Sequence, residues 1–151
     1  MTTNAASLVT QAKQWATNYG AYSNGEEGHS LTAPLRVRAN WDAGDAGAVA
    51  EMFTDNGSLL MGDDQLKGRE EIRSHLTTAL AGPYQGSRLR FEPVEIKMLH
   101  ADCALMVAEG GFLLAGEEEV APERSSRITF ISVRSGGDWR VLSYQSSPVQ
   151  G

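Results

Sequence analysis

Trp41-Asp42-Ala43-Gly44-Asp45, followed by Phe53-Thr54-Asp55-Asn56-Gly57 and then Gly68-Arg69-Glu70-Glu71-Ile72, is the run whose reading decides the fold. Gly44 can close one helix in a left-handed conformation while Asp45 caps the next, which presents Val49, Met52 and Phe53. Asn56-Gly57 predicts a turn that delivers Ser58–Met61 as a short strand. A loop through Gly62-Asp63-Asp64-Gln65 then ends at Gly68. From Arg69 to Leu80 a helix is expected, with Ile72, Leu76, Ala79 and Leu80 on one stripe.

Working outward from that run, Ser30 or Thr32 is expected to cap the helix that ends at Trp41, with Pro34 in its first turn. Further upstream, Leu8, Ala12, Trp15, Ala16 and Tyr19 recur at helical spacing over Ala5–Tyr19. The stretch Gly20–His29 breaks that pattern and reads as a flexible connection or a lid. Residues 1–29 therefore stand as a helix and connection, and residues 30–149 as the domain proper. Downstream the period changes, and Arg88–Met98, Cys103–Ala115, Arg124–Arg134 and Trp139–Ser147 read as four longer strands. In the first of these, Leu89 and Phe91 keep one register while Val94, Ile96 and Met98 keep the other, so a bulge near Pro93 is expected to bend the sheet. Ser135-Gly136-Gly137-Asp138 joins the last two strands. The resulting class is α+β: a cone of three or four N-terminal helices packed on a strongly curved, mixed but mainly antiparallel sheet.

A chain of 151 residues fits one such domain. Its net charge of -6 comes with scattered Lys and Arg, which argues against nucleic acid or an anionic membrane surface as partner. One cysteine, Cys103, excludes an internal disulfide and favours a reducing compartment. With no basic-then-apolar leader and no membrane-length apolar run, the expected location is cytoplasmic. His29, His75, His100 and Cys103 form no familiar ligand cluster, so no metal is expected. No Gly-rich phosphate loop follows a strand and opens a helix, which weighs against nucleotide cofactors and a dehydrogenase.

These quoted motifs, with the closing Asp138-Trp139-Arg140-Val141, resemble the ketosteroid isomerase-like and polyketide cyclase-like superfamily, the SnoaL-like group that also contains nuclear transport factor two. The resemblance covers Leu31–Val149. More narrowly, the chain is similar to small bacterial proteins encoded with enediyne polyketide pathways. It implies an apolar pocket in the cone, a homodimer formed through the sheet, a polyketide-like ligand and a polyketide synthase as possible partner. Position by position, the isomerase's oxyanion tyrosine corresponds to Val37, its carboxylate base to Met61 or Leu60, and its second acid to a site near Ile131. None of these side chains transfers a proton, so isomerase-type enolisation is not expected.

Several side chains remain as candidates. Trp41 can stack on a planar ligand or pack in the core, and Met61, Tyr144 and Gln145 are further candidate ligand contacts. Tyr144 and Gln145 point to opposite faces of the last strand, so only one is expected to enter the cone unless the strand bulges. Asp64 can reach the mouth if its loop folds over, and His75 has the pKa range of a base but sits on an apolar helix stripe. Arg127, Thr129, Ile131 and Val133 share one strand face. If that face lines the pocket, Arg127 can hold a carboxylate or enolate; otherwise it pairs across the sheet with Glu109. Asp64, His75 and Arg127 are thus the candidate catalytic groups for a cyclisation, isomerisation or dehydration. The rival expectation is a noncatalytic accessory that binds a synthase or its product. A purely structural module would instead fill its interior with Met61, Phe91, Phe112 and Trp139.

Overall fold

The computed structural model describes residues 10–11 and 29–149, so the expected helix over Ala5–Tyr19 and the connection after it lie almost wholly outside the described residues. The described chain runs α1 (Thr32–Asp42), α2 (Ala46–Glu51), β1 (Phe53–Met61), β2 (Asp64–Lys67), α3 (Arg69–Ala81), β3 (Arg88–His100), β4 (Cys103–Leu113), a single 3-10 turn (Pro122–Arg124), β5 (Ser126–Ser135) and β6 (Asp138–Pro148). One six-stranded sheet has the order β2-β1-β6-β5-β4-β3. All its pairings are antiparallel except that of β1 with β6, which makes the sheet mixed.

Local chemistry accounts for most of the joints. Gly44 takes φ +72°, and the turn closes with the Gly44 amide donating to the Trp41 carbonyl at 2.8 Å and the Asp45 amide to Asn40 at 3.0 Å. A residue with a Cβ is strained in that left-handed region, whereas glycine is not. Asp45 then caps α2 by accepting from the Ala48 amide at 3.0 Å. The cap expected for α1 does not form: Leu31 occupies the N-cap position without a side-chain bond, and the Thr32 hydroxyl instead donates backwards to the His29 carbonyl at 2.7 Å.

Asn56-Gly57 is not a turn. β1 begins at Phe53 and passes through both residues, and its pairing with β6 shifts register between Phe53 and Ser58. The tight turn falls at Gly62-Asp63, and what was expected as loop becomes β2, paired Met61 with Asp64 through Ser58 with Lys67. β3 does carry its bulge, between Pro93 and Glu95. Val94 is the extra residue; it stands 52% exposed while Leu89, Phe91 and Ile96 all face inward. Ser135 pairs with Asp138 across Gly136-Gly137, both at positive φ, as a two-residue hairpin requires.

Three helices, among the described residues, pack on the inner face of the bent sheet. α3 buries Ile72, Leu76, Ala79 and Leu80, the stripe its spacing predicts. Asp42 ties α1 to β3, its carboxylate accepting from the Leu89 amide at 2.9 Å and from Arg90 Nη1 at 3.0 Å. Phe53, Leu76, Ile128, Phe130 and Val141 form the fully buried centre between the layers. Among the described residues no helix is long and apolar enough to cross a membrane.

Candidate functional site

Among the described residues, the cone has a deep hollow and a shallow one. The deep hollow is a void of about 10 Å³ lined by Val37, Trp41, Val49, Phe53, Leu59, Met61, Leu89, Phe112 and Tyr144. That volume is the lower limit for a single water, and an apolar lining leaves such a void dry. The shallow hollow opens at the mouth, between the β1–β2 turn, the ends of β4, β5 and β6, and the residues after α3. Its volume is about 340 Å³, and its wall includes Asp63, Tyr84, Phe112, Arg124, Ser126, Ile128, Tyr144, Ser146 and Ser147. Ligand sites for small organic molecules begin at about this size.

An aromatic partition separates the two. Trp41 stacks on Phe112 with ring centroids 4.8 Å apart, and Tyr84 meets Phe112 edge-on at 5.4 Å. Trp41 Nε1 donates to the Ser87 hydroxyl at 3.0 Å, a bond shut away from solvent. Trp41 is therefore held as a wall of the deep void. Met61 lies beside it, also buried. Tyr144 touches both hollows. Its ring packs edge-on against Phe130 at 5.0 Å, and burial, reinforced by the nearby Tyr84, holds its phenol above the usual tyrosine range. It is accordingly a proton-bearing hydrogen-bond donor at any physiological pH.

The other sequence-derived candidates lie elsewhere. Ile128, Phe130 and Ser132 are the inward set on β5, so Arg127 is on the outer face. There Arg127 Nη2 meets Glu109 Oε2 at 3.1 Å, the cross-strand pair, and does not enter the cavity. Ile131, the position matched to the isomerase's second acid, shares that outer face. Gln145 pairs in register with Thr129, and its amide donates to the Ser143 hydroxyl at 3.3 Å; it too points away from the cone. His75 is half-buried on α3 and lines neither hollow, and Asp64 is exposed on β2. Its neighbour Asp63, in the turn, is the carboxylate that reaches the mouth. Among the described residues no three His, Cys, Asp or Glu side chains gather as metal ligands.

Arg124 was not singled out by sequence. It ends the 3-10 turn before β5, where its Nη2 donates to Glu117 Oε1, and that ion pair holds the Glu117 carboxyl below the usual range. The same oxygen accepts from the Leu114 amide at 2.7 Å. Arg124 Nε is buried and finds no hydrogen-bond partner. The signal for this arrangement was the doublet Gly110-Gly111 inside a strand. A Cβ on Gly110 would sit 1.9 Å from the Arg90 carbonyl oxygen, and one on Gly111 would sit 2.8 Å from the Arg124 carbonyl oxygen. The doublet lets β4 bend and lets the Arg124 segment close against it.

A helix-covered cone with a ligand-sized cavity at its mouth defines the class, and comparison with known proteins gives the family. The chain belongs to the SnoaL-like domain family, whose sequence profile matches residues 37–150. Among solved structures it is similar to a nuclear transport factor 2-like protein with a cystatin-like fold from Novosphingobium aromaticivorans, with TM-score 0.70, 17% identity, and 98% of this chain and 92% of that chain covered. A domain with a cystatin-like fold from Nostoc punctiforme gives TM-score 0.69 at 20% identity, covering 79% and 74%. A ketosteroid isomerase-like protein from Erwinia carotovora atroseptica gives 0.61 at 19%, covering 82% and 95%. At these identities the likeness is one of fold. No curated protein matches the chain.

Proposed function

We propose that this protein binds an apolar, unsaturated, polyketide-like molecule in the mouth cavity, the intermediates of enediyne pathways being one such class. The observation that carries the reading is the contrast within the cavity wall. Phe112, Tyr84 and Ile128 give the wall its apolar contacts, while Tyr144, Ser126, Ser146 and Arg124 place polar side chains among them. Such a wall fixes both the conformation and the direction of a bound chain. If the bound molecule is turned over by cyclisation, isomerisation or dehydration, the Tyr144 phenol is the group suited to stabilise an oxyanion developing on it. Asp63 is then the carboxylate at the rim.

A noncatalytic accessory role for a polyketide synthase or its product is the second reading. It is favoured by Val37 and Met61 standing in the deep void, and Ile131 on the outer face, where the isomerase pattern has its tyrosine and two acids. Leu105, Val107, Ile131 and Val133, half-buried on the outer sheet face, are the surface through which we propose the homodimer forms.

Native mass spectrometry of freshly isolated protein, followed by extraction, tests both parts. The expected result is a dimer mass carrying a retained polyketide-like compound. A bare monomer that also fails to retain added aromatic polyketides would overturn the reading.

A further inference from the structure

Among the described residues, Phe112 and Tyr144 alone line both hollows of the cone. They are held differently. Tyr144 is buried on β6 with a strand paired on each side, opposite Leu59 of β1 and Phe130 of β5. Phe112 is only partly buried, and its stretch of β4 has a strand on one side alone. The ladder of β4 with β5 ends at Gly110 opposite Ser126, so Phe112 keeps just Leu89 of β3 across from it.

Other rings hold Phe112 in place. Trp41 lies 4.8 Å from it at an interplanar angle of 30°, and Tyr84 lies 5.4 Å away at 66°. Trp41 is itself pinned by the bond from Nε1 to the Ser87 hydroxyl at 3.0 Å, whereas a phenylalanine ring has no polar atom to pin. Behind Phe112 the void is walled by Val37, Val49 and Leu59, all apolar. Apolar space of this kind stays dry and, once large enough, takes up apolar ligand atoms. Removing the Phe112 ring would add the space it fills to the void of about 10 Å³ and open both to the cavity of about 340 Å³.

We infer that Phe112 is the stop that sets how far a ligand reaches into the cone, and so the residue that determines the ligand length this chain accepts. This rests on the mouth cavity being the binding site. With the ring in place, surplus length stays at the open side of the mouth, in water. With a smaller residue at this position, the leading end passes inward and is buried against Val37, Val49 and Leu59.

Calorimetric titration of the full chain with 2-acetylnaphthalene and the longer 2-acetyl-6-propylnaphthalene tests this. The wild type is expected to bind the two within about threefold of each other, because an end left in water gains little apolar burial. Phe112→Ala is expected to shift the preference towards the propyl probe by about tenfold, the effect of burying roughly two methylene groups. Phe112→Leu removes less of the side chain, and about threefold is expected of it. With the propyl probe, amide NMR shifts at Val37, Val49 and Leu59 are expected in the variants and not in the wild type, a readout that loss of packing alone would not move. Should Phe112→Ala melt without a cooperative transition, Phe112→Leu decides. A wild type that binds both probes, with the same preference in the variants, overturns the stop and leaves the cavity reading standing. Failure of both probes to bind the wild type overturns the two together.

Discussion

The interior of the cone and its mouth share Phe112 and Tyr144, yet the first is a void of about 10 Å³ and the second a cavity of about 340 Å³. They differ because of what each strand sends inward. Towards the interior, β1 presents Phe53, Leu59 and Met61, and α1 presents Val37 and Trp41. Apolar side chains meeting from two layers fill space at close to crystal density. At the mouth, β5 and β6 end in Ser126, Ser146 and Ser147, small residues that leave room. In one molecule the same cone is thus packed as core at its depth and left open at its rim.

The comparison breaks first if the interior is not core. Phe53→Ala is expected to destabilise the protein by about 3–5 kcal/mol, the usual result of emptying a fully packed aromatic site. Urea unfolding would measure it. A loss below about 1 kcal/mol would mean the depth of the cone is loosely filled and available to a ligand.

Tyr144, on the boundary, sharpens the comparison through pH. Its folded pKa is raised above the ordinary value of 10.0 by burial, so its contribution to stability is constant below that value. Above it the unfolded chain loses the phenolic proton while the folded chain keeps it, and stability falls as pH rises. The slope contributed by this one group is at most about 1.4 kcal/mol per pH unit. Unfolding of wild type and Tyr144→Phe compared between pH 9 and 11, values set around the ordinary tyrosine pKa of about 10, should show the extra alkaline loss in the wild type alone. Parallel curves would place the phenol in water.

Much of the fold was legible because its decisive signals are local. Gly44 and Asp45 end one helix and start the next within a few residues, and Gly136-Gly137 sets its hairpin by backbone conformation alone. The bulge at Pro93 showed as a change of register. What escaped was nonlocal. β1 gains its first residues by parallel pairing with β6, far away in sequence, and β2 exists only because β1 offers it an edge. The site was less legible still. β5 carries apolar residues on both faces, so nothing in its pattern says that Ile128 and not Arg127 faces inward. A one-residue difference in the turn puts Asp63 rather than Asp64 at the mouth. Arg124 matters only after the segment following β4 has folded back on the Gly110-Gly111 bend.

The measurement that bears most directly on the central claim is an amide NMR titration of uniformly labelled protein with 2-acetylnaphthalene. Binding at the mouth predicts shifts centred on Gly111, Ser126, Ser146 and Ser147, with Val49 and Leu59 nearly still. Shifts centred on Val37, Val49 and Leu59 would show that the ligand enters the cone's depth, and would contradict the account.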